Sequence, residues 1–154
     1  MQLIRGLHNT QPYLSRCALT IGNYDGVHLG HQAILRHLRQ KANELNLPMA
    51  VMLFEPQPRE YFMGDRAPAR LMRLRDKLHY LAQAGVDVVI VAKFDRTFAN
   101  LPAEQFIEDW LVGKLNVKFL SIGDDFKFGA KRLGNFAMLQ QAGKQFGSEV
   151  EDTR

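Results

Sequence analysis

Two hydrophobic rhythms alternate along the chain. Short runs are apolar at nearly every position, and between them apolar residues recur three and four apart among polar ones. Cys17 to Ile21 reads as a first strand. From about Leu29 to Leu45, the residues Ile34, Leu35, Leu38, Ala42 and Leu45 keep the spacing of one helix face. Met49 to Phe54 is unbroken in hydrophobicity, as a strand buried on both faces should be. A connection containing Pro56, Pro58 and Pro68 follows. Leu71, Leu74, Leu78 and Leu81 then mark a helix that should end at Gly85, a residue suited to a C-terminal cap. Val86 to Val91 predicts a third strand, and Phe106, Ile107, Trp110 and Leu111 one side of a helix beginning near Pro102. Val117 to Ile122 predicts a fourth strand, and Gly134 to Phe146 a closing helix.

Strand and helix alternating at this pace imply right-handed crossovers, so the expected class is α/β: a Rossmann-like parallel sheet with helices on both faces. In such sheets ligands bind beyond the carboxyl ends of the strands, where the strand order reverses. The segments to read for chemistry are therefore Gly22 to His31, Glu55 to Arg59, Lys93 to Thr97 and Gly123 to Gly134. The pattern does not fix the strand order.

Composition narrows this picture only a little. The 154 residues suit one domain. With 46% hydrophobic and 23% charged residues the chain is neither disordered nor collagen-like. A net charge of +4 suits an anionic small molecule and is too mild and scattered to predict nucleic-acid binding. Cys17 is the only cysteine, which excludes an intrachain disulfide and a cysteine-based zinc site and fits a reducing, cytoplasmic compartment. The longest apolar runs are strand-sized, so no membrane span is expected.

The turn after the first strand reads Gly22-Asn23-Tyr24-Asp25-Gly26-Val27-His28-Leu29-Gly30-His31. Gly22 and Gly26 let the backbone turn sharply and approach a ligand closely. His28 and His31, three apart at a helix start, project from one side. A helix N-terminus already offers free N–H groups and partial positive charge to a phosphate. Gly30 leaves room between the two rings. The turn is neither a dinucleotide fingerprint nor a Walker loop. Three readings stand: capping or surface histidines, a metal triad of Asp25, His28 and His31, and a triphosphate held by the helix end and both imidazoles. No metal ligands are assigned.

With these residues on the page, the turn resembles the H-x-G-H signature of nucleotidyltransferases. In its longer form it is similar to the bacterial FAD synthetases, bifunctional riboflavin kinase/FMN adenylyltransferases. Two further blocks resemble that family's flavin side: Leu53-Phe54-Glu55-Pro56-Gln57-Pro58-Arg59-Glu60 and Gly123-Asp124-Asp125-Phe126-Lys127-Phe128-Gly129. The stretches Arg70 to Leu78 and Phe94 to Ala99 follow its usual run as well. Tyr24 stands where Phe is common, Gln57 where many members have His, and Asp125 where some have Asn. The family continues past the position of Arg154 with a Ser/Thr-rich, Arg-containing segment and then a kinase domain. The resemblance thus implies an adenylyltransferase domain over 1–154 that lacks its C-terminal end, with the riboflavin kinase domain outside this chain.

The implied reaction is attack of the FMN phosphate on the α-phosphorus of ATP, giving FAD and pyrophosphate, with Mg²⁺ accompanying ATP. His28 and His31 are expected to hold phosphate oxygens, and Asp25 to orient a histidine or water or help place Mg²⁺. Gly22, Asn23, Gly26 and Gly30 are expected around ATP. Phe54, Pro56, Pro58, Asp125 and Phe128 are expected at the flavin; the Pro-x-Pro connection with Phe54 and Phe62 reads either as a stiff, packed loop or as lining of the isoalloxazine slot. The basic run of Arg66, Arg70, Arg73, Arg75 and Lys77 reads as a solvated helix face. Trp110 reads as core. Two alternatives are the same signature acting on another phosphorylated acceptor and a flavin- or nucleotide-binding fragment without turnover. No nucleic-acid or membrane partner is expected.

Overall fold

The computed structural model describes residues 1–5, 16–25, 29–123 and 126–153. Among the described residues six strands form a single parallel sheet: β1 (Gln2–Arg5), β2 (Cys17–Ile21), β3 (Met49–Glu55), β4 (Val88–Lys93), β5 (Val117–Ile122) and β6 (Glu149–Asp152), in the order β1-β4-β3-β2-β5-β6. The α/β class and the four central strands are as the hydrophobic pattern predicts. The two edge strands were not legible, because each has four residues and neither carries an apolar run.

Side chains alternate between two cores, one on each face of the sheet. On one face Ala18, Met49, Val51 and Val89 meet Leu35, Leu38 and Ala42 of α1 (Leu29–Leu45) and Leu81 of α3 (Leu74–Gln83). On the other, Leu19, Met52, Ile90 and Leu120 meet Phe106, Ile107 and Leu111, with Leu139 of α6 (Phe136–Phe146). Between them run the short helices α2 (Pro58–Met63), α4 (Arg96–Ala99) and α5 (Ala103–Gln105).

Three predicted boundaries move, each for a local reason. Leu71 is 78% exposed and lies outside α3, because its amide is bound by a side chain from another loop. Val86 closes the end of α3 rather than opening β4: its N–H donates to the Leu81 carbonyl at 3.2 Å, after Gly85 at φ 90° has turned the chain. The last helix begins at Phe136, since the Asn135 side chain caps it by accepting from the Met138 N–H at 2.9 Å. Gly134 instead bridges antiparallel to Phe128. The helix expected near Pro102 starts as α5 and continues as a π-helix over Phe106–Lys114.

Strand order now locates the cleft. From β2 the chain steps outward to β3 and β4 on one side, then returns to place β5 on the other. The order reverses at β2, so the crevice opens beyond the carboxyl ends of β2 and β5. No helix among the described residues is long and apolar enough to cross a membrane.

Gly129 tests this packing. A Cβ there would lie 2.7 Å from the Ala103 Cα, at φ 78°. At Gly147, φ 75°, the space is open. Gly147→Ala should cost about 1–2 kcal/mol from backbone conformation alone. Gly129→Ala should cost clearly more, by about 1–3 kcal/mol of added clash. Urea denaturation of both variants measures the difference.

Candidate active site

The segment after β2 is held at both ends. Gly22 donates to the Met52 carbonyl at 3.2 Å. Tyr24, at φ 49°, turns its ring into the core, 5% exposed, with its hydroxyl 3.0 Å from Thr20 Oγ1. Burial pushes the phenol up to about 12, so it stays protonated. Tyr24 is therefore accommodated as a packed ring. His31, half-buried in the first turns of α1, lies against it with ring centroids 4.9 Å apart.

Asp25 caps a distant loop. Its carboxylate accepts the Leu71 N–H at 3.0 and 3.1 Å and the Met72 N–H at 2.9 Å. Burial alone pushes this carboxyl up, but the two amides, with Lys77 and Arg70 nearby, hold it below its ordinary value. It stays ionised at neutral pH.

Beyond the strand ends lies a cavity of about 1010 Å³. Gly22, Asn23, Phe54, Pro58 and Phe128, all predicted, line it together, and so does Phe62. Asp25, Gly30, His31 and Pro56 are not among its lining residues, and Gly26, His28 and Asp125 lie outside the described residues. The aromatic wall is wider than the sequence reading drew it. Phe94 touches Phe54, Tyr61, Phe62 and Phe98 with centroids 5.4 to 5.8 Å apart. On the opposite side Phe126 stacks on Phe128 at 5.6 Å and 18°, and Phe128 leans on Phe106 at 5.4 Å. Arg59, Lys127, Lys131 and Arg132 add positive charge to the lining. Phe94 stands at the end of β4, a position the strand-end rule singles out; the basic rim had no signal beyond composition. Trp110, half-buried against this core, packs on Phe98 at 5.1 Å.

The basic run departs from expectation. Arg70 is no solvated side chain: Nη1 and Nη2 pair with both Glu55 oxygens at 2.8 and 2.9 Å, and Nε with Glu60 at 2.9 Å. Glu60 also accepts the Gln57 N–H at 2.8 Å, at the start of α2. Lys77 is 1% exposed. Burial pushes its ammonium group down, while Asp25, Glu55 and Glu60 oppose that shift. Arg70 folds inward because Glu55 and Glu60 both bind it, and buried Lys77 lies within electrostatic reach of these two and of Asp25, which linear charge spacing does not reveal. Among the described residues no group of three His, Cys, Asp or Glu side chains is placed to hold a metal ion.

A family model described as FAD synthetase matches residues 10–154. The chain is 76% identical over its whole length to a protein of Haemophilus influenzae named bifunctional riboflavin kinase/FMN adenylyltransferase, of which it covers 50%. It is 56% identical to an Escherichia coli protein of the same name, again covering 50%, and 49% identical over 151 residues to one of Pseudomonas fluorescens, covering 48%. The chain thus spans about half the length of these curated relatives. Among solved structures, a Streptococcus pneumoniae chain titled macrolide-efflux protein superposes with a TM-score of 0.78 at 22% identity, over 99% of this chain and 49% of that one. That likeness shows the fold.

The Arg70 fork makes a pH prediction. Its hydrogen bonds hold Glu60 at about 2, against an ordinary 4.5. The folded value is the lower, so the stability it contributes is complete above about 4.5 and is lost as pH falls toward 2. Glu60→Gln should be less stable than the parent at pH 7, and the gap should close on acidification through that window. A gap that stays constant down to pH 3 in denaturant titrations would place the effect elsewhere.

Proposed function

The chain belongs to the FAD synthetase family, and on that premise we propose that it transfers AMP from ATP to FMN, giving FAD and pyrophosphate. The observation that carries this reading is the aromatic-walled cavity opening beside Gly22 and Asn23 at the strand-order reversal. A flat isoalloxazine suits walls built from Phe54, Phe94 and Phe128, and stacking on fixed rings lowers the ordering cost of binding. The same wall disfavours a flexible, non-aromatic acceptor. Riboflavin phosphorylation, named in the relatives, is assigned to the half of their length that this chain does not match. A free, buried Cys17, its thiol pushed up to about 12 by burial, fits a reducing cytoplasm.

In this mechanism an oxygen of the FMN phosphate forms a bond to the ATP α-phosphorus while the bond to the β-phosphate bridge breaks. Both reactants are anions, so the protein's task is alignment and charge neutralisation. His28 and His31 donate to phosphate oxygens and stabilise charge that grows during transfer. Gly22, Gly26 and Gly30 keep side chains out of the nucleotide's path, and Asn23 offers its amide. Asp25, its carboxylate engaged by the Leu71 and Met72 amides, holds the turn in shape. Phe54, Pro58 and Phe128, which line the cavity, make the flavin side; Pro56 shapes the connection between Phe54 and Pro58, and Asp125 is assigned to the same side. A divalent cation, Mg²⁺ in this reading, neutralises phosphate charge when bound. Such an ion would be held mainly by nucleotide phosphates and water, since the Asp25 carboxylate is already engaged by two amides.

The direct experiment mixes protein, ATP, Mg²⁺ and FMN and resolves FAD and pyrophosphate by chromatography. No FAD from a folded chain that binds FMN would leave the reading of a binding fragment without turnover. Replacing His28 or His31 by Ala should remove about 2.7–4 kcal/mol of transition-state stabilisation without unfolding the protein. Wild-type rates in both variants would overturn the role given to the turn. Pro58→Gly and Phe128→Ala should weaken FMN, followed by flavin fluorescence, more than ATP. Equal weakening of both ligands would point to packing instead.

A further inference from the structure

Three consecutive residues touch both walls of the cleft by different means. The Arg70 side chain grips the flavin side: Glu55 at the end of β3, and Glu60 on α2, whose neighbours Pro58, Tyr61 and Phe62 line the cavity. The next two residues grip the phosphate side through their backbone, as the Leu71 and Met72 amides donate to Asp25, two positions beyond cavity-lining Asn23. Buried Lys77 lies within electrostatic reach of Asp25 and both glutamates.

Such a junction is more than a helix cap. A cap for α2 requires only Glu60 and the Gln57 amide, which meet without Arg70. A clamp for the Gly22–Asp25 turn requires only two amides. Here one tripeptide supplies both, so displacing its side chain displaces its backbone. A guanidinium fork can satisfy two carboxylates at once, whereas an ammonium acts as a single point charge.

We propose that Arg70 is a positioning residue that couples the two halves of the cleft, with Asp25 and Glu60 as its anchors, so that the placement of the flavin wall and of the nucleotide turn is one equilibrium. The inference rests on the reading of the cavity as a flavin and nucleotide site, and it adds a tie between the subsites that neither subsite requires. Lys77 stabilises the tie by balancing the carboxylates that converge on it.

Two measurements decide it. The first needs no ligand. In amide hydrogen exchange on the intact chain, Asp25→Ala should lower protection of the Tyr61 N–H, which donates to the Gln57 carbonyl in α2 at 3.0 Å and which Asp25 does not touch. Reciprocally, Glu60→Gln should lower protection of the Met72 N–H. Each change should be about fivefold or more, the lower end of measured couplings between sites. If each variant affects its own loop alone, the tie does not exist, whatever the chain catalyses. The second is kinetic: Arg70→Met should raise KM for both FMN and ATP, and Arg70→Lys should recover part of the loss. Asp87→Asn is the control, since Asp87 accepts from the Met49 N–H and from Arg39 at the opposite end of the sheet and should leave both KM values unchanged. A rise confined to FMN would reduce Arg70 to a local brace of α2. A wild-type chain that makes no FAD would sink the functional reading and leave the exchange result to decide the tie.

Discussion

A parallel sheet buried on both faces has one place left for polar chemistry. Its strands carry apolar side chains up and down, because helices cover each side, and both cores are closed around them. Only the strand ends remain available, and parallel pairing sends every carboxyl end to the same edge. The position of β2 between β3 and β5 then parts the connections there and opens a crevice. Gly22 follows β2, Phe54 stands at the end of β3, Phe94 follows β4, and Phe126 and Phe128 come from the connection after β5. These side chains meet through topology rather than through nearness in the chain.

The cleft draws its precision from groups that a substrate need not touch. Tyr24 anchors the turn from below through Thr20, and Asp25 fixes it from the side through two amides. Arg70 satisfies two carboxylates that burial would otherwise make costly. The arrangement leaves the aromatic surfaces bare for a ligand while the Asp25, Glu55 and Glu60 carboxylates behind them are already paired. That division of labour suits the proposed alignment of two anionic substrates without a covalent intermediate.

Much of this was legible in the sequence, and the gaps have physical reasons. Strands β2 and β5 appear with their predicted limits because their burial is continuous. The turn from Gly22 to Asp25, with Phe54, Pro58 and Phe128, could be placed at strand ends by rule. Strand order was invisible, since it depends on which strands pair and not on any one pattern. Leu71 fits helical spacing yet lies outside the helix, because a hydrogen bond to Asp25, distant in sequence, outweighs local periodicity. Lys77 and Arg70 read as solvent-facing for the same reason: their partners come from β3, α2 and the turn after β2. Local signals survive where local energetics decide; long-range pairing erases them.

The π-helix behind the cavity gives chain length itself a meaning at this site. Over Phe106–Lys114 the backbone closes wider turns than an α-helix, as where the Leu115 N–H donates five residues back to the Trp110 carbonyl at 3.0 Å. Phe106 and Trp110 stand on this segment with rings nearly parallel, 6.2 Å apart, and both brace Phe98 of the cavity wall. Loss of a single amino acid there would let the segment relax to ordinary helical pitch and rotate one of the two rings off that brace. A substitution along this stretch changes one side chain on an unchanged backbone, whereas an insertion or deletion shifts the register of the wall itself.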